Sequence, residues 1–274
     1  MTDSDRETDG GEENGGHYEN FETTLEDGVL RAEIHSTSAM NALNRTMTEE
    51  LLDLGVRLHE EPIRCFCLTG SEGVFCAGGD VGNFSENGAP AGMRKGASLL
   101  HDAVLALHQA EVPIVVGVNG PAVGAGFSFA ILGDYVLASA DSYFQFGYPG
   151  IGATGDGSAT YFLPRVVGLR QAKRIALLDE RIDPEGAVEL GLATERAETD
   201  AFEDRLSEIA GQVANGPTVA LGRTQKLLTE STSAGIEEQL AAETDAMART
   251  AHTEDFVEGV AAFGEKREPK FEGR

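Results

Sequence analysis

The stretch that decides the fold runs from residue 114 to residue 132 and reads IVVGVNGPAVGAGFSFAIL. Its first part, Ile114–Val118, is a β-branched run typical of a buried strand, and an Asn-Gly-Pro turn ends it. Residues 127–132 predict a short apolar helix. The intervening turn Gly124-Ala125-Gly126 therefore places backbone N–H groups at a helix N-terminus, where unpaired donors and the helix dipole favour negative charge.

A second Gly-rich turn, Ala77-Gly78-Gly79-Asp80, follows a strand predicted over residues 63–68. Gly78 and Gly79 can adopt positive φ and let the backbone approach a ligand closely. Two backbone N–H groups aimed at one oxygen form an oxyanion hole, in which each donor is worth about 10²–10³ in rate. We therefore predict an enzyme that stabilises a developing oxyanion. Ordinary tight turns with close packing explain either turn equally well when it is taken alone.

Several common catalytic signals are missing from the sequence. The chain has no Gly-Lys-Ser/Thr phosphate loop and no Gly-x-Ser-x-Gly elbow, and Phe129 stands where a dinucleotide fingerprint needs its third glycine. No His pair has metal-ligand spacing, so we expect no metal site and interpret the six His residues as solvated or packing residues. Cys65 and Cys67 alternate within an apolar run and are interpreted as small buried residues.

Strands alternate with helices as far as about residue 169, and nearly all of the remaining chain is predicted to be helical. The earlier segments are a strand over residues 29–34, helices over residues 46–60 and 97–109, and a mobile loop over residues 83–95. This order predicts an α/β core with an α-helical appendage. The predicted divisions are a disordered acidic tail at 1–17, the core at 18–215 and a C-terminal helical region at 216–274.

The charge of the chain is strongly unbalanced, with 46 acidic and 21 basic residues and a net charge of −25. Such self-repulsion is unfavourable unless salt screens it, and at about 1 M salt the Debye length falls to about 3 Å. We therefore predict a cytoplasmic protein of a halophile, with activity that rises when it is measured against increasing KCl. An ordinary acidic protein with a disordered tail is the alternative. The charge repels polyanions, so nucleic acid is not expected as a partner.

No membrane partner is expected either, because the apolar runs are far shorter than the roughly 20 residues that span a bilayer.

Further motifs accompany the two Gly-rich turns in a fixed order. Asn41-Ala42-Leu43-Asn44 precedes the first predicted helix, Leu68-Thr69-Gly70 precedes the first turn, and Gly133-Asp134-Tyr135 follows the second. Near the C-terminus the chain reads Glu258-Gly259-Val260-Ala261-Ala262-Phe263, followed by Glu265-Lys266-Arg267. With these motifs the chain resembles the crotonase superfamily, the enoyl-CoA hydratase/isomerase family, over residues 18–273.

The resemblance implies a crotonase-like spiral of ββα units with a C-terminal α-helical region that packs homotrimers, often paired into hexamers. It also implies an acyl-CoA thioester substrate, so that coenzyme A enters as part of the substrate and no prosthetic group is bound. The thioester oxygen would lie between the N–H groups of Gly79 and Ala125. The residues expected along CoA are Met40 and Ala77, near its adenine end, and Phe263 and Lys266, from a neighbouring subunit.

The chain departs from the hydratase pattern at both catalytic glutamates. By the resemblance, one glutamate would stand at Ser128, two residues after the second turn, and the other at Gly150. The loop Gly155-Asp156-Gly157, followed by Phe162-Leu163-Pro164-Arg165, resembles a branch that includes ring-epoxide phenylacetyl-CoA isomerases and related enoyl-CoA isomerases. Isomerisation needs only one base, which removes a proton from one carbon and returns it to another. We therefore predict an isomerase with Asp156 as its acid/base.

Three alternatives remain open from the sequence alone. An enoyl-CoA hydratase could use Asp156 together with a water held by Ser128. The chain could also be a non-catalytic, CoA-binding member of the family. Finally, Asp is a favoured N-cap residue, so Asp156 could simply cap the helix that follows it.

Overall fold

The computed structural model describes residues 18–82 and 90–274 and has a six-stranded sheet at its centre. The strands are β1 (Phe21–Glu26), β2 (Val29–Ile34), β3 (Cys65–Gly70), β4 (Ile114–Val118), β5 (Pro121–Val123), β6 (Tyr135–Ser139), β7 (Tyr143–Gln145) and β8 (Glu195–Ala197). The helices are α1 (Arg45–Glu60), α2 (Pro90–Gln109), α3 (Ala125–Ala130), α4 (Ala159–Leu178), α5 (Pro184–Leu190), α6 (Phe202–Ala214), α7 (Thr218–Glu230), α8 (Ile236–Thr250) and α9 (Glu254–Glu265).

The sheet is mostly parallel, in the order β1-β2-β3-β4-β6-β8. Only β1 and β2 are antiparallel, because the tight turn at Asp27 and Gly28 joins them directly, whereas the parallel neighbours need longer crossovers. Strands β5 and β7 form a second, two-stranded parallel sheet. The chain thus repeats a strand-strand-helix unit in β1-β2-α1, β4-β5-α3 and β6-β7-α4. This arrangement confirms the predicted ββα units, and the strands predicted over 29–34 and 114–118 have the predicted bounds.

Two hydrophobic cores lie on opposite faces of the sheet, because successive residues of a strand point to opposite sides. Phe66 and Leu68 of β3 belong to the larger core with α1 and α2, whereas Cys65 and Cys67 pack with α6. Burial raises the pKa of the Cys67 thiol to about 12. A thiol that stays protonated in this way acts as a small apolar residue. The interpretation of Cys65 and Cys67 as small buried residues is confirmed.

Two predictions about local structure need correction. The loop predicted over residues 83–95 is wrong in its second part, because the described residues from Pro90 onward are helical. Residues 83–89 and the tail predicted over residues 1–17 lie outside the described residues. The nearly all-helical C-terminal part also contains β8, whose three half-buried residues pair with β6. So short a strand shows no alternation of apolar and polar residues in the sequence, and its pairing with β6 defines it.

The C-terminal helices α7, α8 and α9 are anchored to the core near their two ends. The Arg64 guanidinium donates to the carbonyl of Gly216 at 2.9 Å and to that of Phe271 at 3.0 Å. Between these anchors, α8 and α9 leave apolar side chains exposed: Ile236, Leu240, Met247, Val257, Val260 and Phe263. Among residues 18–82 and 90–274, no helix is both long and apolar enough to span a bilayer.

Candidate active site

The two Gly-rich turns are far apart in the sequence but lie side by side in the structure. The N–H of Cys76 donates to the carbonyl of Pro121 at 2.9 Å, and the N–H of Val123 donates to the carbonyl of Cys76 at 2.9 Å. These bonds hold the segment before the first turn parallel to β5, which leads into the second. A Cβ placed on Gly124 would lie 3.5 Å from the Cα of Gly78, so the turns themselves are in contact.

The backbone at both turns requires glycine. Gly78 has φ of 105°, and Gly124 has φ of 57° and ψ of −116°. Residues with a Cβ rarely adopt such angles. Gly124 precedes α3 directly, so Ala125 is the first helical residue and its N–H has no acceptor within the helix.

The N–H groups of Gly79 and Ala125 lie in the two adjacent turns without a partner among the described residues. Over residues 18–82 and 90–274, neither group donates a hydrogen bond to another protein atom. Buried backbone donors are nearly always paired, and Ala125 is 6% exposed. Two adjacent turns that each present an unpaired N–H can bind an oxygen that carries negative charge.

A substitution at Gly126 tests how tightly the two turns must pack. A Cβ at this position would lie 2.0 Å from the Cys76 carbonyl oxygen, so Gly126→Ala must push the turns apart. We expect the free energy of unfolding to fall by about 1–3 kcal/mol, as is typical of overpacking. Denaturation with guanidinium chloride measures this loss. Gly211→Ala in α6 is the matched control, because a Cβ there meets nothing within 4 Å and should not destabilise the protein.

The residues predicted along CoA near its adenine end lie against the first turn. Met40 has φ of 57°, and its carbonyl accepts the N–H of Ala77 at 3.1 Å. The N–H of Leu43 donates to the carbonyl of Gly78 at 2.7 Å. The Met40 side chain is 53% exposed. Met40 and Ala77 therefore form one continuous surface next to the Gly79 N–H.

Ser128 lies one turn into α3 and is fully buried. Its hydroxyl lies 2.8 Å from the Tyr148 hydroxyl and donates to the Asp156 backbone carbonyl at 2.8 Å. The Tyr148 hydroxyl lies 3.0 Å from the same carbonyl. Burial raises the pKa of Tyr148 to about 12, so its O–H remains a donor at neutral pH. The two hydroxyls hold the main chain of Asp156 beside the helix that begins at Ala125.

The carboxylate of Asp156 points to α2, where its Oδ1 lies 2.5 Å from Nε2 of His101. The alternative that Asp156 caps α4 is wrong, because the N-cap is Ser158 and the Asp156 carboxylate is bonded to His101. The side chains of His101 and Asp156 are 52% and 36% exposed, so the pair is open to solvent on one side. His101, interpreted from the sequence as a solvated or packing residue like the other histidines, is half exposed and also contacts the Asp156 carboxylate.

The remaining predicted residues lie elsewhere in the single chain. Gly150 is in the short 3-10 helix Pro149–Ile151 and offers no side chain. Phe263 lies on α9 and is 88% exposed. Lys266 ends α9 in a left-handed conformation with φ of 57°. The described residues place neither Phe263 nor Lys266 in hydrogen-bond contact with the two turns.

The structure is an α/β fold with two adjacent turns whose N–H groups can bind an oxyanion. Comparison with known proteins identifies the family. The family model for enoyl-CoA hydratase/isomerase matches residues 24–274. The chain is 33% identical to a Rhodobacter capsulatus protein named "Probable enoyl-CoA hydratase", over 94% of this chain and 99% of that one. It is 29% identical to the 1,2-epoxyphenylacetyl-CoA isomerase of Escherichia coli, over 91% and 97%.

A solved structure shares the fold of this chain. The crystal structure of an enoyl-CoA hydratase/isomerase from Cupriavidus metallidurans superposes with a TM-score of 0.87 at 27% identity, covering 94% of this chain and 98% of that one. The chain belongs to the enoyl-CoA hydratase/isomerase family and has the crotonase fold. It is therefore an acyl-CoA enzyme of that family.

Proposed function

We propose that this enzyme is an enoyl-CoA isomerase that moves a double bond or rearranges a ring through a thioester enolate. The N–H groups of Gly79 and Ala125 bind the thioester oxygen, and Asp156 is the acid/base. The observation that carries the proposal is the anchoring of Asp156 by Ser128, since Ser128 lies on the same short helix as Ala125. Met40 and Ala77 bind the adenine end of CoA in this proposal.

The proposed reaction needs a single proton carrier. Asp156 removes a proton from the α- or γ-carbon, the electron pair moves into the thioester carbonyl, and the two N–H groups stabilise the negative oxygen. The electron pair then returns, and the proton goes from Asp156 to a different carbon. No water is added and no second carboxylate is required, which fits a chain with Ser128 and Gly150 at the two glutamate positions.

The experiment that tests this proposal compares two substrates in high-salt buffer. A 3-enoyl-CoA should gain the absorbance of a conjugated thioester as its double bond moves into conjugation. Crotonyl-CoA, which is already conjugated, should lose that absorbance only if water is added to it. Rapid loss of the crotonyl-CoA absorbance, without isomerisation of the 3-enoyl-CoA, would contradict the isomerase proposal.

Hydration is the second candidate function, and the exposure of Asp156 favours it. At 36% exposure the Asp156 side chain is within reach of water, which a hydratase must position and deprotonate. The buried Ser128 hydroxyl is bonded to Tyr148 and to a backbone carbonyl, however, so in our proposal it positions Asp156 and does not hold the reacting water. A non-catalytic, CoA-binding member would instead show CoA-ester binding with no turnover of either substrate.

Replacement of Tyr148 tests whether the two hydroxyls position Asp156. Tyr148→Phe leaves the Asp156 carbonyl with the Ser128 hydroxyl and the Ala159 N–H as donors, so we expect the free energy of unfolding to fall by about 1 kcal/mol. We also expect kcat to fall by up to about tenfold, because a displaced acid/base group reacts poorly. Tyr135→Phe is the matched control, since it loses a hydrogen bond to Glu195 away from the site. Equal kcat values for the two variants would contradict the positioning role.

A homotrimer or a hexamer built from two trimers is also part of the proposal. The exposed apolar side chains of α8 and α9 support it, because a surface of this kind in a charged protein marks a contact with another chain. In the trimer, Phe263 and Lys266 of one subunit reach the CoA bound by another. Analytical ultracentrifugation in high salt tests this point, and a stable monomer would contradict it.

A further inference from the structure

We propose that His101 is a positioning residue for the acid/base Asp156, holding one carboxylate oxygen so that the other faces the substrate. This inference rests on the proposed function, since it concerns the same proton transfer. It starts from the 2.5 Å separation between His101 Nε2 and Asp156 Oδ1, two side chains that are 55 residues apart in the sequence.

The direction of the hydrogen bond follows from the chemistry of the two groups. An ionised carboxylate can only accept hydrogen bonds, so the Nε2 of His101 carries a proton and donates it to Oδ1. The Oδ2 atom then remains to take the proton of the substrate. His101 thereby fixes the rotation of the carboxylate, as the partner of an acid/base group commonly does.

The main chain of Asp156 is fixed independently of His101. Its carbonyl accepts the Ser128 hydroxyl at 2.8 Å, lies 3.0 Å from the Tyr148 hydroxyl, and accepts the N–H of Ala159 at 3.1 Å. These bonds leave the side-chain torsions as the remaining freedom of Asp156. The bond to His101 removes that freedom.

The Asp156 loop packs closely against α2 and α3 at Gly157. Gly157 has φ of 56°, and a Cβ at this position would lie 3.3 Å from the Cβ of Ser128 and 3.4 Å from Cδ2 of Leu100. Leu100 is buried and immediately precedes His101 on α2. The buried stripe of α2 therefore sets where His101 lies relative to the Asp156 loop.

Another histidine shows what an incidental surface contact looks like. His35 lies 3.1 Å from a carboxylate oxygen of Glu33 and 3.5 Å from one of Glu22, whose side chain is 75% exposed. Exposed pairs of this kind contribute little to stability. The pair formed by His101 and Asp156 differs, because the backbone carbonyl of Asp156 is held by the buried hydroxyls of Ser128 and Tyr148.

The test uses exchange of the α-protons of butyryl-CoA in D2O, which needs the base and the oxyanion hole but no double bond. Mass spectrometry measures the exchange rate, and 3-enoyl-CoA isomerisation supplies kcat and KM. The variants are His101→Ala, His101→Gln and, as a matched control on the same helix, Asp102→Asn. His101 is half exposed, so its replacement should leave the fold intact, which circular dichroism checks.

We expect His101→Ala to lower both the exchange rate and kcat by about 10–100-fold, with KM changed by less than about threefold, since orientation of the base and not substrate binding is lost. His101→Gln keeps a donor near the position of Nε2 and should retain most of the activity. Added imidazole should partly restore His101→Ala, because the site is open to solvent.

The outcomes separate this inference from the proposed function. Wild-type protein that neither exchanges α-protons nor isomerises 3-enoyl-CoA would overturn the proposed function. Wild-type activity that is lost in Asp156→Asn but unchanged in His101→Ala would overturn the role of His101 alone. Equal loss in His101→Ala and Asp102→Asn, or no rescue by Gln or imidazole, would also overturn it, because a general disturbance of α2 would then explain the effect.

Discussion

Replacing Asp156 by Asn is expected to lower kcat for 3-enoyl-CoA isomerisation by about 10²–10⁴-fold, the usual contribution of a positioned acid/base group. The amide oxygen of Asn can still accept the hydrogen bond from His101, and the backbone bonds to Ser128 and Tyr148 do not depend on the side chain. The variant should therefore fold and bind substrate, with KM changed little. What it lacks is a group that can take up a proton.

Steady-state kinetics in high salt checks this result, and Asp102→Asn in α2 controls for the loss of one acidic charge from the same region. Unchanged turnover of Asp156→Asn would show that another group moves the proton. If both Asp156→Asn and the wild-type protein bind CoA esters without turnover, the chain is a non-catalytic member of the family.

Replacing Ala125 by Pro is expected to lower kcat by about 10²–10³-fold, because it removes one donor of the proposed oxyanion hole. Ala125 is the first residue of α3, a position where proline is well tolerated because its N–H makes no bond within the helix. The substitution should therefore lower kcat more than it lowers the free energy of unfolding. The ring also fills space beside the turn, so substrate binding should weaken as well.

Ala125→Gly is the matched variant, since it keeps the N–H and should stay within a few-fold of the wild type. The α-proton exchange of butyryl-CoA measures enolate formation directly in both variants. Full exchange by Ala125→Pro would contradict the assignment of Ala125 as an oxyanion donor. The exchange assay also distinguishes an enolate mechanism from simple loss of CoA affinity, which raises KM alone.

The sequence predicts the two Gly-rich turns because the information for them is local. Glycines at 78 and 124 are required by positive φ within single turns, and the apolar run after residue 124 predicts the helix whose N-terminus presents Ala125. Recurring motifs in a fixed order then identify the family, which the match over residues 24–274 confirms.

The side-chain contacts of the site are harder to predict from the sequence, because they form between residues that are far apart in the chain. His101 is a helical residue with no motif around it, and the only available signal is its place next to Leu100 on the buried stripe of α2. Its contact with Asp156 joins two elements that are 55 residues apart in the sequence. The same limit applies to β8, which is a strand only through its pairing with β6.

The sequence by itself determined the two turns that present N–H groups, because they follow from short patterns of glycine, apolar residues and helix termini. Its motifs also determined the family, and the ββα units followed from the resemblance to that family. The tertiary structure alone decided that the turns touch, that Ser128 is a buried partner of Tyr148 and Asp156, and that Asp156 is bonded to His101 and caps no helix. These are contacts between elements far apart in the chain, and packing of the helices against the sheet fixes them.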